Sequence, residues 1–235
     1  RFGLNPQDFV KISSKETPSK LPLNLPISFH DLLTRFVELQ NVATRRQVKL
    51  LADITVCPPE KIRLQQYDQH YEQEIAAKKR SILNLLEEFA ACEISFELFL
   101  EQLPATQIRY YSIASSPKIQ PTQCSLSVAV LKDGDFEGVC SNYLATNKVG
   151  NKILATVRCP ALDYSLPENA ETPIIMIGAG AGIAPFMGFL QERTYLQNQG
   201  KTLGKALLFF GCRHPEQDFL YKEELHQAQT ANLVE

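Results

Sequence analysis

Pro173-Ile174-Ile175-Met176-Ile177-Gly178-Ala179-Gly180-Ala181-Gly182-Ile183-Ala184-Pro185 runs from apolar residues through three glycines into a segment opened by proline. Residues 173–177 have the length and β-branched content of a buried strand. Pro185 suits a first helical turn, where its missing N–H would be unpaired anyway. The pattern after it predicts a helix to about Asn198 with Gly200 as its stop, then a second strand over 206–210. Strand, glycine turn, helix and strand make a βαβ unit, which requires a parallel sheet.

Backbone N–H groups of such a loop can approach a pyrophosphate, and the helix N-terminus adds partial positive charge. The spacing is G-x-G-x-G, however, not the G-x-G-x-x-G of the dinucleotide fingerprint. Phe210-Gly211-Cys212-Arg213 stands where an acidic residue would hold a ribose. The glycines alone therefore leave a ligand-free tight turn open as an alternative.

Upstream, Pro167-Glu168-Asn169-Ala170-Glu171-Thr172 is a polar linker and divides the chain into 1–170 and 171–235. Residues 109–114, 125–131 and 153–159 read as short strands between Pro-, Gly- and Asn-rich turns, which suggests an antiparallel barrel or sandwich. Residues 27–103 carry helical spacing instead. Ser28 can cap a helix bearing Leu32, Leu33, Phe36 and Leu39. A second helix is expected over 44–54, and Cys57-Pro58-Pro59 stops or redirects the chain. The longest is expected over about 67–89, with Ile75, Ile82, Leu86 and Phe89 buried and Glu87 and Glu88 turned to solvent. Phe96, Leu98, Phe99 and Leu103 close this block before Pro104. The block, at about 22–104, is expected to pack and space without chemistry. The fold class is α+β followed by α/β.

A chain of 235 residues with 44% hydrophobic and 21% charged residues suits one large or two modest globular domains. Its net charge of -2 and scattered Lys and Arg argue against nucleic acid or an anionic membrane surface as partner. Six cysteines lack any C-x-x-C pair, and only His214 is near one, so no metal site is expected. Reduced thiols in a cytoplasmic setting are expected, with no membrane contact from this segment, since no apolar run reaches 18 residues. Arg1-Phe2-Gly3-Leu4 lacks an initiator Met, and Asn232-Leu233-Val234-Glu235 reads as the start of a strand. Both ends therefore suggest a fragment of a longer protein.

Two further segments carry chemistry. In Arg109-Tyr110-Tyr111-Ser112-Ile113-Ala114-Ser115-Ser116-Pro117, Arg109 and Tyr111 point the same way along a strand. An Arg can pair with a diphosphate, and a Tyr ring can stack on an aromatic cofactor. The Ser112 hydroxyl can donate to or accept from a ring nitrogen. A plain edge strand with aromatic packing fits the same residues as well. Gly138-Val139-Cys140-Ser141-Asn142-Tyr143-Leu144 reads as a glycine turn entering a short helix, a start that favours an anion.

Together these segments resemble the ferredoxin–NADP reductase superfamily. Arg109–Ser115 matches its R-x-Y-S-x-x-S flavin motif, and Gly138–Leu144 is similar to its G-V-x-[ST]-x-x-L diphosphate turn. The loop through Ala184-Pro185-Phe186 is similar to its NADPH half, as are Phe209-Phe210-Gly211-Cys212-Arg213 and Asp218-Phe219-Leu220-Tyr221. The helical block narrows the resemblance to diflavin reductases, and Val56-Cys57-Pro58-Pro59-Glu60-Lys61 to NADPH–cytochrome P-450 reductases and the reductase half of self-sufficient fatty-acid hydroxylases.

The resemblance implies an antiparallel flavin-binding barrel interrupted by the helical block, then the first part of a parallel-sheet NADP-binding domain. It implies that Tyr111 stacks on the isoalloxazine, that Arg109 and Tyr110 lie in the FAD motif and that Ser112 sits beside flavin N5. Leu126, Ser127 and Val128 would give backbone contacts near the flavin. Gly138, Val139, Cys140 and Ser141 would close over the FAD diphosphate. Gly178, Gly180, Ala181, Gly182 and Pro185 would receive the NADPH diphosphate, and Cys212 would lie beside the nicotinamide. Ser112 and Cys212 are thus the expected catalytic residues. FMN and haem belong to other domains, and the partners are an FMN domain and a haem monooxygenase, in cis or in trans. Ala181 stands where the family has Thr in G-x-G-T-G, so one hydroxyl contact is missing. A sulfite reductase flavoprotein or another diflavin reductase half would share these motifs. A non-catalytic nucleotide-binding fragment is the alternative of a different class.

Overall fold

The computed structural model describes residues 1–13, 21–134, 136–159 and 164–235. They form two compact units, Arg1–Ile108 with Gly134–Phe136, and Arg109–Asp133 with Glu137–Glu235.

The first unit is helical apart from the antiparallel pair β1 (Phe9–Lys11) and β2 (Pro26–Ser28). The Ser28 hydroxyl accepts from Asp31 N at 3.1 Å and caps α1 (Phe29–Asp31), which continues as a π-turn over Leu32–Phe36. α2 (Arg45–Ile54) starts at a capping box: Thr44 accepts from Gln47 N, and the Gln47 side chain accepts from Thr44 N. The two prolines after Cys57 do more than stop the chain. They occupy the first turn of α3 (Pro58–Gln69), where proline is preorganised.

The single helix expected over 67–89 is broken. α3 ends at Gln69, a π-turn follows over Glu72–Ala76, and α4 (Ile82–Glu88) begins anew. Lys79 takes a φ of 49°, which ends one helical run, and the Ser81 hydroxyl with Asn84 forms a second capping box that starts the next. The expected apolar face survives, because Ile75, Ile82, Leu86 and Phe89 are all buried with Val48, Leu51 and Leu64. Glu88, expected to face solvent, is half-buried and accepts from Arg63 (2.5 Å), Arg80 (2.6 Å) and Tyr67 (2.8 Å). α5 (Phe96–Gln102) closes the unit, capped by Ser95.

The second unit holds the βαβ motif. After the two-residue strands β3 (Lys132–Asp133) and β4 (Phe136–Glu137) comes α6 (Val139–Thr146), the short helix expected behind Gly138. β5 (Ile174–Ala179) pairs in parallel with β6 (Ala206–Gly211), from Ile174 opposite Ala206 to Ala179 opposite Gly211. α7 (Ala184–Asn198) crosses between them, and Gly200 at φ +74° follows its end as expected. β5 is not buried on both faces. Met176 packs under α7, whereas Ile175 and Ile177 are exposed, because among the described residues helix covers one face only. The chain end behaves as a strand start: Glu235 N donates to Ala206 O and Glu235 O accepts from Leu208 N, at 2.8 and 2.9 Å.

The expected barrel is not seen among the described residues. Residues 109–114 and 125–131 share one antiparallel bridge, Ile113 with Leu126, supported by Ala114 N donating to Ser125 O at 2.7 Å. Residues 153–159 carry no strand among the described residues. Their apolar side chains, Leu154 and Val157 foremost, face solvent rather than a partner sheet, so the alternation has no layer to bury against. The compact units meet along the chain at Ile108/Arg109. All six cysteines are free thiols, and among the described residues no helix is long and apolar enough to cross a membrane.

Candidate functional site

The carboxyl ends of two parallel strands open on the crevice where α/β sheets bind ligands. Here a cleft of about 920 Å³ lies at the ends of β5 and β6, lined by Ala179, Gly180, Ala181, Gly211, Cys212 and Arg213. Ser127, Val128 and Ala129 close it from the flavin-type segment, and Asp218, Leu220 and Tyr221 from the turn after β6. That volume suits an organic cofactor, since ligand pockets span roughly 300–1,000 Å³.

The glycines of the loop have different duties. A side chain on Gly178 would put its Cβ 3.1 Å from both Gly182 O and the Phe186 ring, so strand and helix meet there without room for a methyl group. Gly180 takes φ +50°, the left-handed region that side chains resist. A Cβ on Gly182 would meet nothing within 4 Å. Pro185 is buried in the first turn of α7. The loop thus forms a tight cradle of small residues at a helix start, which fits a diphosphate.

The turn after β6 is built by one carboxylate. Asp218 accepts from His214 N (2.7 Å), Arg213 N (3.1 Å) and the Arg213 side chain (3.1 Å). The bond from His214 N is the main reason that its carboxyl titrates below the usual range, with Arg213 adding to it. The stabilisation is therefore present above the ordinary carboxylate pKa and lost as pH falls through the lowered one. Asp218→Asn is expected to flatten the acid limb of the stability–pH curve, measured as urea midpoints across that range. An unchanged acid limb would show that the turn does not depend on the charge.

In the flavin-type segment, Arg109 and Ser112 are exposed, and Tyr111 is half-buried. Burial, and then a hydrogen bond with the Cys140 thiol, push the Tyr111 phenol up to about 12. That contact joins the R-x-Y-S motif to the first turn of α6. The Tyr110 hydroxyl accepts from Arg158 at 2.8 Å, and the guanidinium lies over the same ring, 5.4 Å from its centroid. At the second turn, Ser141 Oγ accepts from Leu131 N (3.1 Å) and donates to Gly138 O (3.2 Å). A Cβ on Gly138 would strike that hydroxyl at 2.8 Å, so glycine and serine fit there as a pair, with Val139 exposed beside them. Ser115 Oγ accepts from Ser125 N at 2.9 Å and so fixes the segment that leads to Ser127 and Val128. Ser116 N donates to the Gln191 side chain of α7 at 2.9 Å, and Gly188 of α7 lets Ser115 pack closely.

The cleft therefore gathers Ser127, Val128, Gly180, Ala181 and Cys212 from the sequence-derived residues. Arg109, Tyr110, Tyr111, Ser112 and Leu126 lie along the adjoining segment, Gly138 is the N-cap of α6, and Val139, Cys140 and Ser141 form its first turn. Arg213, Asp218 and Tyr221 were quoted only as a motif, without roles. Tyr221 is in the left-handed region at φ 57°, opens α8 (Lys222–Thr230) and hydrogen-bonds Ser127 through its hydroxyl. A contact across 94 positions leaves no local trace in the sequence.

Comparison with known proteins places this geometry. The FAD binding domain family model matches residues 1–143, and the oxidoreductase NAD-binding domain model matches residues 176–233. The chain is 45% identical to bifunctional cytochrome P450/NADPH–P450 reductase 2 of Bacillus subtilis (strain 168), covering 100% of this chain and 23% of that protein. A self-sufficient cytochrome P450 monooxygenase of Penicillium expansum is 40% identical over 100% of this chain and 23% of its own length. A bifunctional cytochrome P450/NADPH–P450 reductase of Fusarium oxysporum is 39% identical with the same coverage, 100% and 23%. The chain thus spans about a quarter of the length of these relatives.

Proposed function

The chain belongs to the FAD binding domain family, and on that premise we propose that it is the FAD- and NADPH-binding part of a flavoprotein NADPH reductase serving a haem monooxygenase. Residues 1–170 are the FAD half, with the flavin barrel interrupted by the helical block at about 22–104, and 171–235 are the first part of the NADPH half. The matched segments 1–143 and 176–233 support that division. The relatives' fusion to a cytochrome P450 supports a haem partner, reached through an FMN domain in cis or in trans. A cytoplasmic setting goes with this reading.

One observation carries it: the cleft brings Ser127 and Val128 of the flavin-type segment, the glycine loop and Cys212 to a single space. When bound, NADPH supplies a hydride and FAD accepts it. The chain's own residues orient that exchange. In this reading Arg109 and the turn at Gly138–Ser141 hold the FAD diphosphate, and Tyr111 presents its ring to the isoalloxazine. Ser112 offers a hydroxyl at N5, the loop at Gly178–Gly182 seats the NADPH diphosphate, and Cys212 borders the nicotinamide.

The chain purified with FAD should be yellow and should bleach on anaerobic addition of NADPH. A protein that stays colourless after FAD is added, and consumes no NADPH, would end this reading. Ser112→Ala is expected to slow flavin reduction by about tenfold to a hundredfold, the scale of a displaced reacting group, while retaining FAD. Loss of FAD without a kinetic defect in reconstituted protein would remove Ser112 from its assigned role.

A further inference from the structure

Tyr221 combines three unusual properties. It is a bulky residue at φ 57°, a left-handed conformation that persists only where the surroundings fix it. Its hydroxyl reaches the Ser127 hydroxyl, 94 residues earlier, in a hydrogen bond. Both residues line the same cleft, on opposite segments. The backbone around Tyr221 is anchored, because its carbonyl accepts from Leu225 N at 2.8 Å in the first turn of α8. Its ring is half-buried against the apolar cluster beneath β5 and β6. The other end is anchored as well: Leu126 bridges to Ile113, and Ser125 N donates to Ser115 Oγ.

We propose that Tyr221 is a positioning residue: through Ser127 it latches the flavin-bearing segment to the nucleotide-binding sheet and sets the width of the cleft in which nicotinamide meets flavin. The inference rests on the reading of the chain as an FAD–NADPH module. The strained backbone directs the phenol across the cleft, and a relaxed backbone at 221 would direct it elsewhere. Removing the hydroxyl leaves the ring, its apolar packing and the helix start in place. It frees only the Ser127 segment to move relative to the loop at Gly180 and Ala181. Small misplacement at a reacting centre is costly, so the rate responds more than the fold does.

Tyr221→Phe in the FAD-loaded chain should retain flavin and lose the long-wavelength absorbance of the nicotinamide–flavin complex. It should reduce flavin about tenfold more slowly, the equivalent of one hydrogen bond of about 1.4 kcal/mol. Ser127→Ala should do the same, and the double variant should be no slower than either single one. Affinity for NADP⁺, measured by calorimetry without flavin, should fall by the same factor in both single variants, because each loosens the same wall. Unchanged rate, absorbance and affinity in Tyr221→Phe would overturn the latch, as would a double variant whose losses multiply. If the wild-type chain takes up no FAD, the broader reading fails. The flavin-free affinities would still decide for or against the latch.

Discussion

Gly178→Val is expected to lower NADP⁺ affinity by at least about tenfold, or about 1.4 kcal/mol, with FAD content unchanged. Gly182→Ala, which meets no protein atom, is expected to lose less than Gly178→Val on the same scale. A glycine motif treats these positions as equals, but the geometry does not. At Gly178 the Cβ alone would lie 3.1 Å from Gly182 O and 3.1 Å from the Phe186 ring, and 3.3 Å from Gly182 C. Two of those three contacts are backbone, which cannot swing aside as a side chain can. The two further methyl groups of valine must push β5 and the start of α7 apart, and that opens the loop facing the cleft. At Gly182 a methyl group meets nothing within 4 Å. Calorimetric titration with NADP⁺, alongside the flavin-to-protein absorbance ratio, measures both quantities. Equal losses at 178 and 182 would mean that close strand–helix approach is not what shapes the loop.

Much of this was legible where local chemistry decides structure. Thr44 and Ser81 cap helices whose starts their side chains specify, and β5, α7 and β6 follow from apolar runs, three glycines and Pro185. Ser81 also shows why periodicity alone misled over 67–89: Ile75, Ile82, Leu86 and Phe89 keep helical spacing across a break because each half separately buries them. The exposed faces of Ile175 and Ile177 could not be read, since an apolar strand looks the same whether one or both faces are covered. α8 was missed because its sequence, KEELHQAQT, has a single buried residue, Ala228, and so no apolar stripe to read. For the site, the motifs supplied Arg109 to Ser112, the glycine loop and Cys212. They did not supply the Tyr221–Ser127 pair, the Tyr111–Cys140 contact or the Asp218 turn. Each of those depends on distance in space, a left-handed residue, or a carboxylate's choice of backbone donors.

Arg193→Met is expected to destabilise the second unit by about 2–4 kcal/mol, a large part of an ordinary domain's stability. Arg193 is 3% exposed and has no carboxylate among its hydrogen-bond partners. Its Nε donates to Leu233 O at 3.0 Å and its guanidinium to Gly204 O at 2.6 Å. Two effects oppose each other. Burial disfavours the charged guanidinium and pulls its pKa down, so removing the charge relieves a penalty. Removing it also strands the buried Leu233 carbonyl away from water, at about 1–3 kcal/mol, and takes the donor from the half-buried Gly204 carbonyl. The second effect is the larger here, because methionine fills the space of the stem but offers no donor. Gly204 is also held through its own N–H, which donates to Ala170 O at 2.8 Å. Lys205→Ala provides the contrast. Lys205 tethers the same chain end through Glu235 at 2.9 Å, but the side chains are 60% and 63% exposed, and such pairs contribute about 0–1 kcal/mol. Urea unfolding should give a clear drop in midpoint at unchanged slope for Arg193→Met and almost none for Lys205→Ala. If the ranking reversed, the chain end would be held by surface charge, and the alignment of Glu235 along β6 would depend on salt.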